Sequence, residues 1–455
     1  MKVLFIYPNH KGMNMLPPAI GLLSACLKRD GHIVQLFDTT HYNSVKIGNI
    51  VDDTDSDKSK SDRLMAKPFV NPKEITLKYS NVFEDFKNTV DTYSPDLLAI
   101  STTEDMFHLG LSLLKSLNGK RALTIAGGVF PTFAPELVLS FDEIDIVCKG
   151  EGEEALSELC KRIELNQDFT DIPNIWTMKG SEVIKNELRM IDMDNNPLID
   201  MSLFEEARFY RPMGGKVYRM FPVETHRGCP YKCAFCNSPS QMTLYKKEAS
   251  SNYLRRKNFE NMRDELFFYK NEMKAEYLYF WADTFFSWSQ KDLETFAEIY
   301  KDIKLPFWCQ TRPETITKKR IKIIQEMGLD KMSLGVEHGN YEFRKKYIDR
   351  QMPNQIITKS MNLLADYGVQ TTCNNIIGFP YENRKLAFDT IKLNRSFKAT
   401  DRTVQAFTPF HGTPLKKLTD QLGYTKPTDI QRSFSVVGSQ MDMPQFKQKE
   451  INGLV

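Results

Sequence analysis

Cys229, Cys233 and Cys236 stand in the run Glu-Thr-His-Arg-Gly-Cys-Pro-Tyr-Lys-Cys-Ala-Phe-Cys and form a CxxxCxxC triplet. Thiolates this close can hold three irons of a four-iron cluster and leave the fourth iron open to a substrate or cofactor. Zinc fits the spacing poorly. A structural zinc takes four ligands at tetrahedral geometry, and no fourth Cys or suitably spaced His lies nearby; His226 is only three residues before Cys229, with Arg-Gly between. A disulfide framework fits no better, because eight cysteines in 455 residues is a low density and the other five are scattered singly.

With Arg-Gly-Cys-Pro at its start and Phe235 before its last Cys, the triplet resembles the cluster motif of the radical S-adenosylmethionine (SAM) superfamily. The resemblance implies a [4Fe-4S] cluster whose open iron chelates the amino and carboxylate groups of SAM. An electron from the cluster then cleaves the sulfonium to a 5'-deoxyadenosyl radical. A fourth thiolate would close that position.

The elements that must position such a triplet follow from about residue 216, where strands and helices alternate as in a partial TIM-type (β/α)6 barrel. Tyr277 to Trp281, Phe307 to Gln310, Lys331 to Val336, Gln370 to Gly378 and Thr403 to Thr408 read as strands. Helical stripes lie between them, such as Leu293, Phe296, Ala297 and Tyr300. Working residues of parallel barrels come from the carboxyl ends of strands. Those ends hold Asp283, Gln310 with Arg312, Glu337 with His338, and Asn375 with Gly378. In the radical SAM pattern Asp283 falls where the family hydrogen-bonds the SAM amino group, although Ala282 stands where a second acid is more usual. Glu337 corresponds to a polar residue near the SAM ribose, and a carboxylate can accept from both ribose hydroxyls. Ile376-Ile377-Gly378-Phe379-Pro380-Tyr381-Glu382 resembles the strand-end motif that shapes the adenine pocket, with Phe235 packing on the base. Gln310 and Arg312 complete the expected SAM set. Any one of these residues could instead cap a helix or face solvent.

The first 155 residues read as an alternating α/β unit, a doubly wound parallel (Rossmann-like) sheet. Its strands are Lys2 to Tyr7, Ile33 to Phe37, Leu97 to Ser101, Ala122 to Ala126 and Asp145 to Cys148, and Pro17-Pro18 open a helix after the first. Ligands are expected at the carboxyl ends of such strands. Three blocks there, Pro17-Pro18-Ala19-Ile20-Gly21-Leu22, Gly127-Gly128-Val129-Phe130-Pro131-Thr132 and Gly150-Glu151-Gly152-Glu153, are similar to the cobalamin-binding domain that precedes many radical SAM cores. Gly-Gly turns let backbone approach a bulky planar ligand or its nucleotide tail, whereas single glycines after strands are common punctuation. The resemblance implies cobalamin contacts from Pro8, Thr102, Thr103, Gly127, Gly128, Pro131, Thr132, Gly150 and Glu151. No Asp-x-His-x-x-Gly run is present, and Asp38-Thr39-Thr40-His41 has the wrong spacing, so no lower axial His is expected from this domain. His10 and His108 lie near strand ends and read as surface or structural histidines.

Between these blocks, 51–63 is polar and repetitive and reads as a solvated insertion. The expected organisation is a cobalamin-binding domain at 1–155, a linker and packing segment with a hairpin-like stretch at 156–215, a radical SAM core at 216–415, and a short C-terminal region at 416–455 that reads as truncated. A net charge of +3 with 26% charged residues argues against a nucleic-acid or membrane partner. No apolar run approaches membrane-spanning length, and a cytoplasmic protein is expected.

The resemblance implies a cobalamin-dependent radical SAM enzyme that methylates an unactivated carbon through methylcobalamin, served by a flavodoxin- or ferredoxin-type electron donor. Non-methylating cyclisation or rearrangement is the alternative within enzymes, and a corrinoid/iron-sulfur redox protein without SAM turnover is the alternative outside them. Tyr277, Trp308 and Phe410 could line a pocket for a small molecule or peptide, or simply pack the core.

Overall fold

Strand β1 (Lys2–Tyr7) forms because an apolar run of strand length is sheathed on both faces by helices, the burial pattern of a parallel sheet. The computed structural model describes residues 1–43, 45–47, 50–52, 67–119, 121–432 and 438–455. After β1 come β2 (Ile33–Asp38) and a two-stranded ribbon, β3 (Val45–Ile47) with β4 (Ile50–Asp52). Most of the polar stretch expected at 51–63 lies outside the described residues. The sheet continues with β5 (Leu97–Ser101), β6 (Leu123–Gly127) and β7 (Ile146–Cys148).

The strand order is β2-β1-β5-β6-β7, all parallel, so the chain reverses direction across the sheet between β1 and β5. That is the switch point at which doubly wound sheets bind ligands. Helices Pro18–Arg29 and Glu153–Glu164 cover one face; Val82–Tyr93 and Glu104–Lys115 cover the other. The hairpin expected within the linker is β8 (Ile175–Lys179) and β9 (Glu182–Lys185), which extends this sheet antiparallel beyond β7.

A second seven-stranded sheet follows the order β10-β11-β14-β15-β16-β17-β18. Its edge strand β10 (Tyr210–Met213) pairs antiparallel with β11 (Lys216–Val223). A small ribbon, β12 (His226–Arg227) with β13 (Arg255–Arg256), comes between β11 and the next sheet strand. The parallel run then continues through β14 (Tyr277–Phe280), β15 (Phe307–Thr311), β16 (Leu329–Glu337), β17 (Gln370–Ile377) and β18 (Asp401–Ala406). With β11 these make six parallel strands, the expected partial barrel. Alternation decides its faces: Leu278, Phe280 and Phe307 pack against Leu293, Phe296 and Tyr300, and Tyr277 and Tyr279 turn to the inner face. Among the described residues no helix is long and apolar enough to cross a membrane.

Candidate functional site

The Cys229–Cys236 loop runs between β12 and the helix Asn237–Glu248, with Cys236 as the residue that caps the helix. Backbone bonds fasten it: Ala234 N donates to Ile348 O (2.9 Å), Leu415 N donates to Ala234 O (3.1 Å), and Cys236 N donates to Cys233 O (3.2 Å). Around it stand the barrel strand ends. Thr284 Oγ1 lies 3.4 Å from Cys229 Sγ. Arg312 Nη1 donates to Cys233 Sγ at 3.0 Å, and Arg350 Nη1 reaches the same sulfur at 3.7 Å. Arg312 is itself held by Glu314 (Nε to Oε1, 2.7 Å) and lies 3.7 Å over the Tyr231 ring.

A cluster suits these residues. Burial pushes the Cys229 and Cys236 thiols up, Cys236 to about 12, so their thiolates need a bound cation, whereas Cys233 already has two guanidinium donors. Among the described residues no three His, Cys, Asp or Glu side chains converge on a single-ion site.

The expected SAM residues fall into two groups. Asp283 and Phe235 line a large cavity above the triplet. Asp283 Oδ2 accepts from Ser238 Oγ at 2.6 Å, and burial raises its pKa, an effect the Ser238 bond only partly offsets. Gln310, Arg312, Glu337 and Gly378 lie outside that lining. Gln310 Nε2 donates to Ala282 O (3.2 Å), which holds the strand end carrying Asp283. Glu337 ends β16 at φ +68°, a left-handed conformation that strains a non-glycine residue; its carboxylate accepts from Arg350 Nη1 at 3.3 Å and is pushed up by burial. Gly378 has φ +87°, and a Cβ there would meet the Ile451 side chain at 3.1 Å, so this turn is packed under the helix Gln448–Asn452. Glu382 clamps it, accepting from Gly378 N (2.6 Å) and Phe379 N (2.9 Å). Sequence reasoning missed Arg350. It lies in a loop rather than at a strand end, and only the fold brings it to a cysteine 117 positions earlier.

The expected cobalamin residues divide in the same way. Thr103, Gly127, Gly128, Thr132, Gly150 and Glu151 line the cavity; Pro8, Thr102 and Pro131 do not. Pro8 packs behind the strand ends, where a Cβ on Gly110 would meet it at 3.2 Å. Thr102 N donates to Gly127 O (3.0 Å), tying β5 to β6. Gly128, at φ +116°, lies so close to the Thr102 backbone that a Cβ would collide with it. Thr132 Oγ1 joins the two glycine turns, donating to Gly128 O (2.8 Å) and accepting from Gly150 N (3.0 Å). Glu151 also joins the domains, its carboxylate accepting from Arg227 Nη1 (2.6 Å) and from Arg255.

The cavity holds about 790 Å³ and is walled by both sheets, with the glycine turns on one side and Cys236, Ser238, Asp283 and Trp281 on the other. An apolar slot descends from it between the first sheet and its helices, past Leu22, Leu23, Ile125 and Leu156. Bare glycine backbone above an apolar slot suits a broad planar ring with a tail, so the residues present fit a corrinoid. Both histidines in the wall have their ring nitrogens engaged. His226 bonds Thr225 and Ser287, and His411 bonds Glu104 and Pro427 O.

Two family models divide the chain where this cavity joins it. The Radical SAM superfamily model matches residues 223–393, and the B12 binding domain model matches residues 70–160. The chain belongs to the B12-binding radical SAM family. The two matched descriptions name its cofactors, SAM and B12. This B12-binding radical SAM protein is 24% identical over 343 residues to the uncharacterized methyltransferase PH0819 of Pyrococcus horikoshii, covering 73% of this chain and 71% of that one. It is 28% identical over 213 residues to the cobalamin-dependent radical SAM methyltransferase TokK of Streptomyces tokunonensis, covering 44% and 29%. It is 23% identical over 343 residues to the anaerobic magnesium-protoporphyrin IX monomethyl ester cyclase of Cereibacter sphaeroides, covering 72% and 54%. Among solved structures it is similar to the radical SAM methyltransferase TsrM from Kitasatospora setae with tryptophan and aza-SAM bound (13% identity, TM-score 0.65, 93% of this chain and 77% of that one). It is also similar to the cobalamin-dependent SAM radical enzyme OxsB with aqua-cobalamin and SAM bound (15%, 0.67, 100% and 65%). At these identities the likeness is one of fold.

Proposed function

We propose that this protein is a cobalamin-dependent radical SAM methyltransferase that methylates a carbon of a small-molecule or peptide substrate. One observation carries the reading: a single cavity of about 790 Å³ has the cysteine loop on one wall and the glycine turns of the B12-binding domain on the other. When bound, the cluster and SAM supply a radical and the corrinoid supplies the methyl group. The rest is positioning. Cys229, Cys233 and Cys236 would hold three irons of a [4Fe-4S] cluster, with Arg312 and Arg350 donating to the Cys233 sulfur. Asp283, fixed by Ser238, would accept from the SAM amino group. Glu337, held by Arg350, would accept from the ribose hydroxyls, and Phe235, in the cavity lining, would offer a ring to the base. Thr103, Gly127, Gly128 and Gly150 would bear on the corrinoid. A cytoplasmic location and a flavodoxin- or ferredoxin-type electron donor belong to the same proposal.

A ring-forming outcome is the second reading, favoured by the match to the cyclase over 72% of the chain. Anaerobically reconstituted protein with reductant and SAM should release 5'-deoxyadenosine, and alanine at any of the three cysteines should abolish it and lower bound iron. With substrate present, methylation yields S-adenosylhomocysteine beside 5'-deoxyadenosine in comparable amounts. The nucleoside alone would favour ring formation, and no nucleoside from cluster- and cobalamin-loaded protein would overturn both readings.

A further inference from the structure

Arg211 lies on β10 opposite Tyr218, whose ring stands 5.1 Å from that of Tyr277, so the side chain belongs to the inner face of the barrel. Its guanidinium carbon stands 4.8 Å over the Tyr279 ring. Nη1 is sealed from solvent and no hydrogen bond reaches it, and among the described residues no carboxylate pairs with the group. Burial lowers its pKa, with only the two tyrosines opposing. An unpaired guanidinium in such a place is costly, because desolvation is not repaid by a partner.

A second cation shares that face. Lys331 on β16 is two residues from Ser333, which accepts from Trp308 Nε1 at 2.9 Å inside the barrel. It is only 8% exposed, makes no ion pair among the described residues, and its ammonium lies against the β10–β11 turn, where a Cβ on Gly214 would meet it at 2.6 Å. The acid at this end, Asp330, accepts from the Tyr277 hydroxyl at 2.9 Å. Aromatic rings lead from the cofactor cavity toward Arg211. Trp281, 43% exposed in the cavity wall, stands edge-on to Tyr279 at 6.4 Å, and Arg211 lies over Tyr279.

We propose that Arg211, with Lys331, binds an oxyanion on the inner face of the barrel, so that the substrate carries a carboxylate or phosphate there while its body extends toward Trp281 in the cavity wall. The proposal rests on the methyltransferase reading for the word substrate. A guanidinium presents parallel N–H donors that match either oxyanion, and an anion would give Arg211 the partner that no described residue does. The distance between the oxyanion and the cofactor cavity then sets which part of the substrate faces the chemistry.

The test uses the full chain, loaded with cluster and cobalamin, in calorimetric titrations without SAM or reductant. The probes are 1-naphthyl phosphate, 1-naphthoate and neutral 1-naphthol. At least one anion should bind about ten-fold or more tighter than naphthol, and the stronger of the two identifies the oxyanion. Arg211→Gln should lose that preference and Lys331→Gln should weaken it, with cobalamin and iron content unchanged and naphthol binding retained. Equal binding of anions and naphthol by the unaltered protein, or an undiminished preference in Arg211→Gln, overturns the proposal. If Arg211→Gln does not fold, the unaltered protein and Lys331→Gln decide. Protein that prefers the anions but yields no 5'-deoxyadenosine from SAM sinks the functional reading alone, whereas protein that cleaves SAM without preferring them sinks this inference alone.

Discussion

Gly128 shows how one residue can be fixed by its neighbours before any ligand is considered. Its φ of +116° with ψ of −171° is a conformation close to glycine-only, and an added Cβ would run into the Thr102 backbone. The turn must be this tight because β5 and β6 are adjacent, and Thr102 N already donates to Gly127 O. Bare backbone is therefore what the cavity wall presents. Gly128→Ala should destabilise the protein by about 1–3 kcal/mol from backbone strain, with the collision adding to it. It should also weaken cobalamin uptake, seen as a lower visible absorbance after loading. A variant with unchanged thermal midpoint and full cobalamin content would show that the Thr102–Gly128 contact relaxes at no cost. Local spacing made the cysteine triplet and the Gly-Gly turn legible in the sequence, since their meaning lies within a few residues. Arg350 and Arg211 were not legible, because their partners are set by the barrel's curvature and not by any neighbour in the chain.

Elements carried a different kind of legibility. Strands such as Lys2–Tyr7 and Leu97–Ser101 are continuous apolar runs, which only a sheet covered on both faces explains. The segment after Thr102 was harder to read. Thr102 and Thr103 are read only as corrinoid contacts, and the helix Glu104–Lys115 that begins directly after them has eight of its twelve residues buried, which leaves few polar positions to show the period. The hairpin β8–β9 was visible as a hairpin, yet its docking on β7 is a tertiary pairing that no local pattern records.

That helix start also joins the domains. Glu104 accepts from His411 N (2.8 Å) and Gln431 N (2.9 Å), and His411 Nδ1 lies 2.8 Å from its carboxylate. Burial pulls the His411 pKa down, but the bond to Glu104, its charge and the Pro427 carbonyl outweigh this, against Lys416, and the net shift is upward from 6.5. A raised histidine stabilises fully below 6.5 and loses that stabilisation as pH rises through the folded value. His411→Gln should therefore lower the thermal midpoint at pH 6 by about a degree or two, and the deficit should shrink on the alkaline side. A deficit constant across that range would assign His411 a purely neutral hydrogen-bonding role.

At the scale of the whole molecule, the cavity exists only while the two sheets face each other, so whatever holds them sets the site. Beneath it Arg227 on β12 pairs with Glu151 Oε1 (2.6 Å) and Glu153 Oε1 (2.7 Å) of the first domain and with Glu224 (2.9 Å) of its own. Tyr245 OH accepts from Glu151 N at 2.9 Å, adding a second tie from the helix after the cysteine loop. Three carboxylates around one guanidinium leave no slack: removing the cation strands buried negative charge, a loss of about 3–5 kcal/mol for a broken buried pair. Arg255, also paired with Glu151, can compensate only in part, since Glu153 and Glu224 form no ion pair with it. The consequence differs from ordinary destabilisation, because the lost free energy is coupling between domains. Arg227→Gln should split a single calorimetric transition into two, with the B12-binding domain melting first, and cobalamin should dissociate faster than from the unaltered protein. One transition at an unchanged midpoint would mean that the flanking hydrophobic contacts, and not the Arg227 cluster, keep the two walls of the cavity together.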